Sequence, residues 1–189
     1  MVGTSDQSTN DMEAALFPDT TVIVNFAAIN ELDLLGRYLH DDGRVVEAVR
    51  HEIVRSAERV PNLMRLDLDA WFGDAISFDS DADIAAIDGL RIGAFGGSSG
   101  EPLKHLGESQ TVHAVTTRSA FADATCITDD RDAYTYARSR TIIVRDTLDV
   151  FEVLVANSEL APDRAYTLSM DMLDAGRSLR RVPTSPRHF

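Results

Sequence analysis

Short apolar runs alternate with amphipathic stretches along this chain. Thr21-Val-Ile-Val-Asn-Phe26, preceded by Pro18-Asp19, is apolar and β-branched and reads as a buried strand or a strand passing into a helix. Ala27 to Tyr38 then reads as helix, His40-Asp-Asp-Gly43 as a turn and Arg44-Val-Val46 as a short strand. Glu47 to Arg59 carries apolar Val49, Ile53, Val54 and Ala57 at helical spacing and is closed by Pro61. Asn62 to Phe72 predicts a helix and Ala75-Ile-Ser-Phe78 a strand. Ser80 ahead of Asp81-Ala-Asp83 is an N-cap with acidic first-turn residues. Gly93-Ala-Phe-Gly-Gly-Ser-Ser-Gly100 is the clearest loop. Beyond it the pattern predicts a helix over Leu103 to Ala120, a strand over Ala124 to Thr128 and a helix over Arg131 to Ser139. A last strand, Thr141 to Val144, precedes helices over 147–157 and 161–179.

Apolar strands alternating with helices argue for an α/β fold, a parallel sheet covered by helices on both faces. The expectation is a three-layer α/β/α sandwich over residues 16–179. A polar N-terminal segment, 1–15, precedes it, frayed or loosely attached, and a basic, Pro-containing tail, 180–189, follows. In such sheets function gathers at the carboxyl ends of the strands.

Composition narrows the chemistry. With 44% hydrophobic residues, 11 Gly and 6 Pro in 189, the chain can bury a core and suits one domain. Lys+Arg 18 against Asp+Glu 31 gives a net charge of −13, which opposes nucleic-acid binding by bulk charge. A nucleic-acid role must then rest on local cationic patches or on bound metal. The one cysteine, Cys126, excludes an internal disulfide and a cysteine zinc site and reads as a small core residue. No basic leader and no apolar run of membrane length is present, so the expected setting is cytoplasmic, with no membrane partner.

Several signatures fail. The glycine loop lacks the Gly-Lys-Ser/Thr ending of a phosphate-binding loop. His51-Glu52-Ile-Val-Arg55 begins like a zinc-protease motif but has arginine where the second histidine must stand. His105 and His113 are two helical turns apart, about 12 Å, too far to share an ion. Asp19-Thr-Thr21 lacks the second aspartate of a haloacid-type phosphotransferase, and no serine-hydrolase elbow occurs.

What remains is a set of carboxylates at element ends: Asp19 at the mouth of the first apolar run, Glu52 after the second strand, Glu108 after the glycine loop, and Thr128-Asp-Asp-Arg-Asp132 after the strand Ala-Thr-Cys-Ile. Residues just past the first and fourth strands of a doubly wound sheet face one crevice, where these acids can converge. Carboxylates so crowded repel, and a divalent cation offsets the repulsion. Hard oxygen donors without His or Cys favour Mg²⁺ or Mn²⁺ and suit metal-assisted phosphodiester hydrolysis. Each residue also has a plainer reading. Asp19 can be a turn residue, Asp130 or Asp132 a helix cap, and Glu52 and Glu108 solvated helix positions.

The order and spacing of the set resemble the PIN-domain nuclease family. The matching pieces are Pro18-Asp-Thr-Thr-Val-Ile-Val-Asn-Phe26, Val49-Arg-His-Glu-Ile53, Leu106-Gly-Glu-Ser109, Cys126-Ile-Thr-Asp-Asp-Arg-Asp132 and Ile142-Ile-Val-Arg-Asp-Thr-Leu148. The resemblance covers roughly residues 16 to 175 and is weakest over 60–100. The resemblance implies a parallel sheet between helices and cleavage of single-stranded or structured RNA dependent on Mg²⁺ or Mn²⁺. It places catalytic roles on Asp19, Glu52, Glu108, Asp130 and Asp132. Metal ligation falls on Asp19, Glu108, Asp130 and Asp132, with Glu52 and Asp132 as supports or second-ion ligands. Thr128 orients a carboxylate, and Asp129 falls in a variable slot that leaves the register open by one residue. By the same likeness the chain is the toxin of a bacterial toxin–antitoxin pair, with a small antitoxin covering the acidic crevice and a homodimer as its assembly. Two alternatives stand beside it: a PIN-like binding or regulatory module with little catalysis, and another Mg²⁺-dependent phosphoesterase.

Cationic charge is almost all arginine, with Lys104 the one lysine. Arg118, Arg131, Arg138, Arg140 and Arg145 lie near the last carboxylates and offer an RNA track, or simply balance an acidic surface. The tail arginines Arg177, Arg180, Arg181 and Arg187 touch RNA or a partner on one reading and are disordered on the other.

Overall fold

The computed structural model describes residues 14–189, so nearly all of the polar 1–15 segment lies outside the described residues. Three parallel strands form the sheet: β1 (Leu16–Pro18), β2 (Thr125–Ile127) and β3 (Ile143–Arg145), in that order. Phe17 stands opposite Cys126, which stands opposite Val144. On the free side of β1, parallel bridges join Leu16 to Gly43 and Val46 to Ile76. The segments read as strands at 44–46 and 75–78 thus extend the sheet through single bridges rather than full ladders. Later segments lie on both sides of β1, so the connections reverse direction between β1 and β2. A reversal of that kind opens a crevice at the carboxyl ends of the two strands.

Helices occupy the connections: α1 (Thr20–Ala28), α2 (Leu32–Leu39), α3 (Glu47–Ser56), α4 (Leu68–Phe72), α5 (Asp81–Gly93), α6 (Leu106–Thr117), α7 (Arg131–Ser139), α8 (Thr147–Ala156) and α9 (Pro162–Asp174). The described residues therefore build an α/β fold on a parallel sheet. Among them, no helix is long and apolar enough to cross a membrane.

Of the two readings of the first apolar run, the strand passing into a helix is the one the structure bears out. Leu16-Phe-Pro18 takes the place in the sheet, and Val22 to Ala27 lie inside α1, all of them buried. A helix buried on every side is apolar on every side, so its sequence has no stripe to distinguish it from a buried strand. The single helix read over Ala27 to Tyr38 is two. They break at Asn30, whose φ of 58° lies in the left-handed region that asparagine tolerates. The stretch read as helix over Asn62 to Phe72 divides into a 3₁₀ turn, Pro61–Arg65, and α4. Helix α6 starts at Leu106 rather than Leu103, because His105 holds a φ of 59°.

Phe17, Phe26, Leu35, Ile127, Phe151 and Leu154 are at the centre of the core. The basic tail packs against it instead of extending away. The Phe189 ring meets Phe151 edge-on at 6.2 Å between centroids. The Arg181 guanidinium grips Asp146 through Nε (2.7 Å) and Nη2 (2.8 Å) and reaches Asp149 (2.6 Å).

Candidate active site

Asp19 follows β1 directly and occupies the N-cap position of α1. At four other helix starts, the N-cap side chain of Asp67, Ser80, Asp130 or Asp146 accepts a first-turn amide. Asp19 makes no such bond. Its Oδ2 accepts instead from the Thr21 hydroxyl (2.6 Å) and, across the crevice from the end of β2, the Thr128 hydroxyl (3.3 Å). Although partly reachable by water, the carboxyl is crowded by protein, and this burial raises its pKa against the Thr21 and Thr128 hydroxyls and the nearby Thr20 and Thr21 amides that favour the charge.

Glu52 comes from α3, with Oε2 accepting from the Thr20 hydroxyl at 2.7 Å. Burial raises its pKa; the Thr20 bond opposes the shift and the charge of Asp19 adds to it. Glu108 comes from the first turn of α6. Burial, then the charge of Asp19, then that of Glu52 push its carboxyl up to about 7, while His105, its Nδ1 at 3.4 Å, pulls the other way. Gly107 brings α6 this close. A Cβ there would lie 3.1 Å from Val49 Cγ2 and 3.5 Å from Glu52 Oε1.

The three acids share one cavity of about 240 Å³, whose rim also carries Arg59 and Arg177. A pocket of about 30 Å³, lined by Asp19, Glu108, Phe17, Cys126 and Thr128, adjoins it. Asp19, Glu52 and Glu108 are thus brought together, with Glu52, read as a support, fully part of the group. Among the described residues, no three His, Cys, Asp or Glu side chains already stand as a ligand set for a metal ion.

Asp130 and Asp132 are placed otherwise. Asp130 caps α7 through Oδ1, which accepts the Ala133 amide at 2.7 Å. Its own amide donates to Thr128 Oγ1 (3.1 Å), so it is linked to Asp19 through that threonine, but it lines neither cavity. Asp132 is exposed in the first turn of α7. The open register between Asp129 and Asp130 resolves into two jobs. Asp129 is buried and accepts from Thr147 Oγ1 (2.5 Å), Asn25 Nδ2 (2.8 Å) and the Arg180 amide (3.2 Å), which makes it the anchor of the tail.

The arginines read as an RNA track are largely engaged in packing. Arg118 lies over Phe78 at 4.8 Å and donates to the Ser77 carbonyl, Arg140 lies over Tyr136, and Arg145 donates to the Tyr38 hydroxyl at 2.6 Å. Arg131 and Arg138 are exposed. The residues without a functional reading in the sequence are Thr20, Thr21, Asn25 and Arg59, whereas Arg177, read as a tail arginine, now lines the acidic cavity. Reading 21–26 as a strand hid the threonines, and nothing in the sequence links Arg177 to a site that begins at residue 19. No protein-family model matches the chain, and comparison with curated proteins and with solved structures finds no match.

Proposed function

We propose that this chain is a divalent-metal-dependent ribonuclease with a PIN-like α/β/α architecture, hydrolysing RNA phosphodiester bonds. One observation carries the reading. Asp19, Glu52 and Glu108, from three distant stretches, converge on a single cavity, and none of them is paired with an arginine or lysine among the described residues. The all-oxygen donor set suits Mg²⁺ or Mn²⁺, and the mutual repulsion of the acids is what such an ion relieves. These three residues would hold the ion. Asp130, one hydrogen-bonded link from Asp19, is the outer member of the proposed set, while the exposed placement of Asp132 gives no support to a ligand role. A bound ion of this kind lowers the pKa of its water and neutralises charge on the phosphodiester oxygens.

The protein's own groups prepare that chemistry. Thr21 and Thr128 fix one oxygen of Asp19, and Thr20 fixes one oxygen of Glu52, so two carboxylates are oriented in advance. Glu108, with its pKa pushed up to about 7, holds its proton in part at neutral pH, and as a ligand it would have to be deprotonated. The toxin role, the small antitoxin and the homodimer belong to the proposal through the family resemblance.

Asp19→Asn and Glu108→Gln should each lower Mn²⁺-dependent cleavage of single-stranded RNA by about 100-fold or more. Undiminished cleavage in both variants removes the site. If calorimetry finds no Mn²⁺ binding at millimolar metal and no RNA is cut, the chain is a binding module. Hydrolysis of phosphomonoesters without RNA cleavage selects the other phosphoesterase.

A further inference from the structure

The cavity that gathers the acids also has a cationic side. Arg177 comes from the segment just after α9, and Arg59 from just after α3. In a chain of net charge −13 several arginines are paired with acids: Arg50 with Asp69, Arg91 with Asp88, Arg164 with Glu31, Arg181 with Asp146. Arg59 and Arg177 line a cavity with three acids, yet neither forms an ion pair with a carboxylate among the described residues.

Arg177 is also held in place. Its Nε donates to Asn25 Oδ1 at 3.2 Å. Asn25 is buried on α1, and its Nδ2 donates to Asp129 Oδ2 (2.8 Å) and to the Ser178 carbonyl (3.1 Å). Asp129 in turn accepts the Arg180 amide and the Thr147 hydroxyl. A buried Asp–Asn relay therefore orients Nε and ties down the backbone at the Ser178 carbonyl and the Arg180 amide. The two Nη groups of Arg177 have no hydrogen-bond partner among the described residues. A guanidinium fixed at Nε and unengaged at its fork is prepared for an anion that accepts two parallel N–H bonds.

We propose that Arg177 and Arg59 form a phosphate-binding subsite beside the carboxylate cavity, which takes a backbone phosphate of a single-stranded nucleic acid. Asn25 and Asp129 act as positioning residues for Arg177. The inference deepens the ribonuclease reading and rests on it for the identity of the polymer. It also answers the objection that net charge raises. Affinity need not come from the protein's mean field if Arg177, held at Nε, and the exposed Arg59 meet the phosphate next to the acids.

The test is binding of a fluorescently labelled single-stranded RNA to the full chain by anisotropy, in a Glu108→Gln background that silences cleavage and removes one repelling charge. Arg177→Ala should weaken binding about tenfold, and each arginine removed should lower the slope of log affinity against log salt by about 0.7. Arg177→Lys should keep the slope while losing part of the affinity, because a point charge replaces the fork. Arg37→Ala, which makes the same charge change outside the cavity, should alter neither. A thermal melt of each variant confirms folding, with Arg177→Gln as a second neutral form should the alanine variant melt early. Unchanged affinity and slope in the Arg59→Ala/Arg177→Ala double variant overturns the subsite, as does an equal effect from Arg37→Ala. Arginine-dependent binding, together with a wild-type chain that cuts no RNA in Mn²⁺, keeps the subsite and sinks the nuclease. Cleavage by a protein whose binding ignores both arginines does the reverse.

Discussion

Two acidic clusters flank the carboxyl ends of the sheet, and they have opposite electrostatic solutions. After β3, Asp146 is fully buried, yet Arg180 meets it at 2.5 Å, Arg181 grips it with two nitrogens, and Asp149 and Glu152 share Arg181. Burial alone would raise the Asp146 pKa. The Arg181 hydrogen bonds, the Asp149 amide and the two guanidinium charges outweigh it, and the carboxyl falls below its ordinary value. After β1, Asp19, Glu52 and Glu108 are less deeply buried, have hydroxyls (Asp19, Glu52) or the His105 ring (Glu108) in place of guanidinium groups, and are all shifted upward. A fold able to neutralise one cluster internally leaves the other uncompensated. An acid cluster whose charge is balanced within the chain serves structure; one whose balance must come from outside is where a cation belongs.

The comparison breaks most sharply at Asp146. Asp146→Asn keeps volume and an N-cap side chain, so its cost isolates the charge lost opposite two partly buried arginines. A destabilisation of about 3 kcal/mol is expected, read as a fall in the denaturant midpoint with unchanged slope. The pH dependence follows the lowered carboxyl. The stabilisation is complete above the unfolded value near 3.8 and is lost as pH falls through the lower folded pKa.

Glu108→Gln should do the opposite. With the folded pKa raised from 4.5 to about 7, the native state binds the extra proton between those values. Stability is therefore greatest below 4.5 and declines as pH rises through 7. The full difference corresponds to about 3 kcal/mol as an upper bound, since the side chain is mostly buried, at 18% exposed. The variant should melt higher than wild type at pH 8 and level with it at pH 4.5. A variant that melts lower at pH 8 would show that Glu108 is bonded rather than strained.

Mn²⁺ sharpens the same contrast. At pH 8 and about 100 times its dissociation constant, a ligand of the native state adds about 2.7 kcal/mol. Wild type should gain melting temperature accordingly, less at pH 5 where protons compete, and Glu108→Gln should gain little. An equal gain in Asp19→Asn would place the ion elsewhere.

How much of this was legible in the sequence depends on which contacts are local. Helix α7 appears where Ser139 and its acidic start place it, and Ser80 caps α5 as read, because both signals lie within four residues of the element. Strand and strand-into-helix could not be told apart for the first apolar run because Val22 to Ala27 carry tertiary burial on all sides, which erases periodicity. Asp19 and Glu108 could be singled out by position after an element end. The division of labour between Asp129 and Asp130 could not be read, since it depends on Thr147 and the tail returning from residues 178–180. Arg177 could be named as a tail arginine, but its place beside Asp19 could not be read for the same reason.

The smallest expected effect concerns how the unneutralised cluster is assembled. Gly107→Ala gains helix propensity, about 1 kcal/mol in a helix interior and less in a first turn. It sets against this a Cβ 3.1 Å from Val49 Cγ2 in the buried face of α3 and 3.5 Å from Glu52 Oε1. Val49 can move only by shifting α3, so the new methyl widens the gap between the helices that carry Glu52 and Glu108. The two terms nearly cancel, and the melting temperature should change by no more than a few degrees. Mn²⁺ affinity should nevertheless fall by several-fold, because two donors move apart while the fold stays intact. The arginine-neutralised cluster offers no such separation: there, any loss of geometry registers in stability first. Should Gly107→Ala leave Mn²⁺ affinity at the wild-type value, Glu52 and Glu108 do not act on one ion, and the centre reduces to Asp19 with a single glutamate.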